Sequence, residues 1–257
     1  MLRSMNDLKG FTIGAADGDI GTIKECFFDD VIFAVRYVVV ETGGWLAERK
    51  VLLSPSAFLT MEWDRKRITT MLTQAQVEKS PDIDTHKPVS RQHETEYYGY
   101  YGYTPYWEGS YLWGASSYPY VGAGPVLSEA DLERERLWYQ EARSRDNPHL
   151  RSSAAVTGYH IHATDGDIGH LSDFLVDDQT WTIRYMVVNT SNWWAGKKVL
   201  VAPAWIEQVD WANSQVHVTV TRAKISDSPL YDLAQPVERP YEAQLYGHYG
   251  YTRYWNE

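Results

Sequence analysis

Apolar residues fall along this chain in short runs, parted by glycine, proline or acidic pairs. IGTIKECFF over 20–28 alternates in part between apolar and polar positions, as a half-buried strand does. AVRYVVVE (34–41) and TIRYMVVN (182–189) are dense in β-branched and aromatic residues, which favour extended backbone. KVLLSP (50–55) and KVLVAP (198–203) predict short strands stopped by Pro55 and Pro203. ITTML (68–72) and VHVTV (216–220) predict a further strand pair, the second alternating cleanly. Asp17-Gly18 and Asp165-Gly166 are hairpin dipeptides, favoured where φ must be positive. Strands this short with turns this frequent predict an all-β chain of small barrels or sandwiches. No strand–helix alternation points to a nucleotide-binding sheet.

The same blocks occur twice. With Gly10 placed over Gly158, a constant offset of 148 residues carries the match without gaps to Trp107 over Trp255, giving 39 identities in 98 positions. DGDIG at 17–21 meets DGDIG at 165–169, with Gly18 and Gly21 over Gly166 and Gly169. Asp29-Asp30 meets Asp177-Asp178, and Arg36-Tyr37 meets Arg184-Tyr185. The match includes the aromatic closing segment, so the duplicated unit is a strand-rich module plus a tail. The expected organisation is a first module over 1–107, a linker over 108–157 and a second module over 158–257. Within the linker, YLWGASSYPYVGAGP (111–125) reads as irregular. SEADLERERLWYQEARSR (128–145) predicts one exposed helix, capped by Ser128, acidic in its first turn and basic in its last. Leu132, Leu137 and Trp138 would give it a narrow apolar face.

The formal net charge of −10 over 257 residues argues against a general phosphate-binding surface, so no direct nucleic-acid contact is expected. Cys26 is the single cysteine, which excludes an intrachain disulfide and fits a reducing compartment. No window approaches the ~18 apolar residues of a membrane span, and the N-terminus lacks a signal-peptide pattern. The expected location is cytoplasmic, with peripheral attachment to an inner-membrane complex left open.

Candidate chemistry is sparse. The repeated carboxylates Asp17, Asp19, Asp29 and Asp30 (Asp165, Asp167, Asp177 and Asp178 in the second copy) could form a hard-cation site or an acid–base pair. Turn chemistry, with Asp bonding its own backbone, accounts for them more simply. His160 and His162 share a strand face and, with His170, have zinc-ligand character, but the first copy has Thr12, Gly14 and Thr22 there. Exposed strand histidines are the simpler reading. Cys26 lies inside a predicted strand opposite Phe174 of the other copy, which suits a buried structural thiol. No GxSxG and no phosphate-binding loop is present. The expectation is no enzyme, no cofactor and no metal.

The aromatic residues stand out, with 11 Trp and 19 Tyr. They cluster at 97–113, including Tyr101, Tyr103, Tyr106 and Trp107, and at 245–255, including Tyr249, Tyr251, Tyr254 and Trp255. Three readings stand. Each tail packs on its own barrel, or anchors a protein partner, or stacks on nucleobases, which would need cations that the first cluster lacks. Trp45, Trp193 and Trp194 precede the KVL strands in loops and are either docking residues or plugs.

The ordered set of DGDIG, an acidic pair, RYxVV and KVL with a following proline, present twice, resembles the PRC-barrel family. The resemblance covers about 10–85 and 158–233. It implies a compact β-barrel of about six strands in each copy. The family includes the cytoplasmic part of the photosynthetic reaction-centre H subunit and a ribosome-maturation factor, and its common theme is docking onto larger assemblies. The chain is therefore expected to be a non-catalytic assembly protein that binds protein partners or a second copy of itself, at a membrane or photosynthetic complex in the narrower version. The alternative from the same resemblance is an accessory factor in RNA processing or ribosome maturation.

Overall fold

A computed structural model describes residues 1–81, 89–119, 128–130, 132–137, 149–190, 197–233 and 235–255, the side chain of residue 92 excepted. Most of the regular structure is β, in two seven-stranded sheets. The chain divides into two units: one holds residues 6–154 and 179–182, the other 1–5, 155–178 and 183–257.

In the 6–154 unit, β2 (Thr12–Gly14), β3 (Asp19–Asp29), β4 (Ala34–Thr42), β5 (Lys50–Leu53), β6 (Phe58–Glu62) and β7 (Arg67–Thr70) pair in the order β5-β4-β3-β2-β7-β6. The β2–β7 pair is parallel and its neighbours are antiparallel. No pairing among the described residues closes this path into a ring. β3 is long enough to serve two neighbours along one edge: β2 meets its first half, and β8 (Leu150–Ser152) meets Phe27–Asp29.

The second unit repeats the plan. β9 (His160–Ala163), β10 (Gly166–Asp177), β11 (Ile183–Asn189), β12 (Lys198–Val201), β13 (Ile206–Asp210) and β14 (Gln215–Val218) run β12-β11-β10-β9-β14-β13. Here β1 (Leu2–Ser4) takes the place on β10 that β8 takes on β3. The strand ahead of each copy thus completes the sheet of the other. The sequence carries the signal: Leu2-Arg3-Ser4 and Leu150-Arg151-Ser152 are identical at the 148-residue offset, ahead of the Gly10 start of the match read above.

The acidic pairs hold these exchanged strands. Asp30 accepts from His149 N (2.8 Å) and Arg151 Nε (2.8 Å). Its counterpart Asp178 takes the N-terminal ammonium (2.6 Å) and Arg3 Nε (3.5 Å). The expectation that Asp17 and Asp165 bond their own turns is not met. Each accepts the first backbone N–H of a short helix, from Gln74 (2.8 Å) and Arg222 (2.7 Å), where orphan helix donors need an acceptor. Gly21 and Gly169 are required by close approach: a Cβ would lie 2.0 Å from the carbonyl oxygen of Glu41 or of Asn189. Gly18 and Gly166 hold φ of 154° and 136°, where a side chain is strained.

β4 is buried on both faces, which explains its unbroken apolar run. Val38 and Val40 fall on one side, while Tyr37 and Val39 pack with Tyr97, Tyr98 and Tyr106 on the other. The tails supply that second layer. They are helical, which the sequence pattern does not predict: Arg91–Tyr101 and Arg239–Tyr249 are helices, each ended by a left-handed glycine, Gly102 (φ 69°) and Gly250 (φ 77°). The strand expected over 68–72 lies at Arg67–Thr70. In the linker, 129–130 and 132–137 are helical, and Glu135 accepts from Leu112 N (3.2 Å). Leu132 is half-buried and Leu137 exposed, while Trp138 and the rest of the expected helix lie outside the described residues.

Candidate functional site

Each tail helix turns a short arginine–glutamate pair toward the sheet it covers. In the 6–154 unit, Ser90 caps the helix by accepting from His93 N (3.2 Å). One turn on, Glu94 is buried at 3 % exposure. Its carboxylate accepts from the Tyr37 hydroxyl on β4 (3.1 Å) and the Tyr106 hydroxyl beyond the helix (2.8 Å), and pairs with Arg91 at 2.9 Å. The Arg91 guanidinium lies 4.3 Å over the Trp107 ring. Burial pushes the Glu94 carboxyl up, while Arg91 and the two phenols pull it down. Burial first, then Tyr98 and Glu94, holds the Tyr37 phenol well above its ordinary value.

The second unit has the same arrangement. Glu242 accepts from Tyr185 (2.9 Å) and Tyr254 (2.7 Å) and pairs with Arg239 at 3.0 Å; Arg239 lies 4.3 Å over Trp255. Arg91, Glu94 and their counterparts were legible as identities between the copies, but without the tail helix nothing in the sequence placed them under Tyr37 and Tyr185.

Beside each carboxylate sits the arginine of the RY motif. Arg36 is fully buried, and its guanidinium carbon lies 3.8 Å from the centre of the Tyr106 ring and 4.9 Å from that of Trp113. Its Nη1 donates to the Leu112 carbonyl (2.6 Å), and Asp29 lies 3.8 Å away. Burial raises the Asp29 carboxyl, and Arg36 opposes that rise. Arg184 is half-buried, with Tyr254 at 4.2 Å.

The tail residues singled out in the sequence therefore gather on the sheet of their own unit. Tyr106 and Tyr249 are buried, and Tyr101, Tyr103, Trp107, Tyr251, Tyr254 and Trp255 are half-buried. Tyr101 and Tyr103 stack at 5.5 Å and 11°. Tyr251 stacks on Trp205 at 5.1 Å and 15°. Trp45 is separate: its Nε1 donates to the Ile20 carbonyl (2.8 Å) while the ring stays 37 % exposed. Trp193 and Trp194 lie outside the described residues.

Cys26 is buried in β3, with its N–H on Ser153 Oγ (3.1 Å). Asp19 pairs with Arg67 at 2.5 Å. His162 meets Asp167 through Nδ1 and stacks on His217 at 5.1 Å, while His160 is exposed and His170 half-buried. Among the described residues, no group of three or more His, Cys, Asp or Glu side chains is arranged to hold a metal ion. None of their helices is long and apolar enough to cross a membrane.

In comparisons with known proteins, no family model and no curated protein matches the chain.

Proposed function

We propose that this chain is a non-catalytic assembly protein, built from two PRC-barrel-like modules, that docks onto protein partners. The observation that carries this reading is Trp45. Its indole N–H is tied to the Ile20 carbonyl at 2.8 Å, yet more than a third of the residue faces solvent. A large aromatic side chain already fixed in place loses little conformational freedom on binding, which suits an interface anchor. The buried clamps support the same view: Glu94 and Glu242 spend their acceptor capacity on phenols and arginines that hold the tail in place, a structural use of carboxylates. The ordered motifs shared with the PRC-barrel family imply docking onto a larger complex.

The test is a photoreactive phenylalanine analogue in place of Trp45 in native cells. The expected result is a discrete covalent adduct with another protein, or with a second copy of this chain. Irradiation that yields no protein adduct from position 45 would overturn the reading.

A further inference from the structure

The leading strand of each copy is held on the sheet of the other by matching contacts at the 148-residue offset. In the 6–154 unit, Leu150–Ser152 lies along Phe27–Asp29. The Asp30 N–H donates to the His149 carbonyl (3.1 Å), and the Asp30 carboxylate accepts from His149 N and Arg151 Nε (2.8 Å each). Ser152 Oγ meets Glu25, and Ser153 Oγ accepts from Cys26 N (3.1 Å). In the other unit, Leu2–Ser4 lies along Leu175–Asp177. The Asp178 N–H donates to the Met1 carbonyl (3.0 Å), the Asp178 carboxylate pairs with Arg3 (3.5 Å), and Ser4 Oγ donates to Asp173 (2.5 Å). Glu25 and Asp173 are counterparts in the two copies, as are Asp30 and Asp178.

A second exchange accompanies the strands. Residues 179–182 belong to the 6–154 unit, although they come from the second copy. There the Trp181 carbonyl accepts from Val35 N (2.8 Å), and the buried Trp181 ring lies 5.5 Å from that of Phe58. Ala34 forms an antiparallel bridge with Thr182, its own counterpart at the offset of 148. A residue that pairs with its own equivalent marks an isologous contact, in which one surface patch serves both sides. Each unit thus takes residues from both copies: 149–154 and 179–182 complete one, and 1–5 complete the other.

A sheet edge offers a row of N–H and C=O groups that an added strand can pair, with side-chain contacts supplying selectivity. Past the residues paired with β2 and β9, the edges of β3 and β10 are such rows, and Asp30 or Asp178 follows with a carboxylate for the arginine of the added strand. We infer that this edge is a strand-addition site whose partner is a second copy of the module itself. The last residues of β3 or β10, with the acidic pair, bind the leading Leu-Arg-Ser strand of another module, and the duplication places both partners in one chain. The covalent connection between the copies is then dispensable for holding them together, and copies from two chains can exchange partners. This goes beyond the docking role of Trp45 and does not depend on it.

The test uses the full-length protein with a protease recognition sequence inserted between residues 119 and 128, cut after purification. The two pieces are expected to elute together in size-exclusion chromatography. One cut batch carries an affinity tag on its C-terminal piece, and a second carries a fluorophore on its N-terminal piece. After mixing, fluorescence should become captured with the tag as pieces exchange partners. Asp30→Ala combined with Asp178→Ala should speed that exchange by about tenfold or more, since each change removes an acceptor that holds an added strand. Arg3→Ala combined with Arg151→Ala, at more exposed positions, should act in the same direction. Far-ultraviolet circular dichroism confirms that both double variants are folded. Pieces that separate on cutting, or an exchange rate equal in wild type and both double variants, would overturn the inference. The crosslink at position 45 is read on uncut protein, so either reading can fail alone.

Discussion

Glu94 shows how one residue ties a tail to a sheet. It joins a strand tyrosine, a post-helix tyrosine and a helix arginine through a single buried carboxylate. Glu94→Ala should cost about 3–5 kcal/mol, because it removes the acceptor of two buried phenols and the carboxylate that Arg91 pairs with; urea unfolding reads this directly. Glu94→Gln retains an acceptor and should cost less. A second residue-scale feature is a compensating exchange between the copies. The first has Ala57 and Tyr97 where the second has Trp205 and Leu245. Tyr97 stacks near Tyr98, Tyr101 and Tyr103, and Trp205 near Tyr246, Tyr249 and Tyr251, so one large ring fills the same place from opposite sides. Ala57→Trp alone should overpack the layer, at about 1–3 kcal/mol. Combined with Tyr97→Leu it should cost less than the two single changes summed, a coupling that a double-mutant cycle measures.

At the scale of elements, period-two patterning and β-branched content found the strands, because their side chains meet the core locally. DGDIG marked the hairpins because positive φ and close backbone approach leave glycine as the residue that fits. The tail helices were hidden for a physical reason. YYGYYGY carries two glycines and many aromatics, all poor helix formers, and the helix is held by packing on Tyr37 and Val39 and not by propensity. The clamp was hidden with them, since Arg91 and Glu94 acquire meaning only once the helix lies on the sheet. The exchanged strands were short and easily passed over, though LRS is repeated. Asp30→Ala removes the acceptor for His149 N and Arg151 Nε and should cost about 1–3 kcal/mol. The loss should appear first as faster amide exchange over 150–152, with the 34–42 strand much less affected.

Across the whole molecule, the phenols set a direction for pH dependence. Burial pushes Tyr98, Tyr101, Tyr246 and Tyr249 up to about 12 from an ordinary 10.0. A folded value above the unfolded one means the folded state holds its proton longer. The stabilisation is therefore complete below pH 10 and is lost as pH rises from about 10 to 12. Phenolate absorbance and far-ultraviolet circular dichroism should change together in an alkaline titration; phenolate forming well before unfolding would show the rings to be accessible. Duplication also bears on the tails: each is the second layer of its own unit. The most direct test of this account is native-state hydrogen exchange over the tail helices, 91–103 and 239–251. The account predicts protection as strong as that of the 34–42 and 183–189 strands they cover. Exchange at the rate of an unstructured chain over both segments would contradict it.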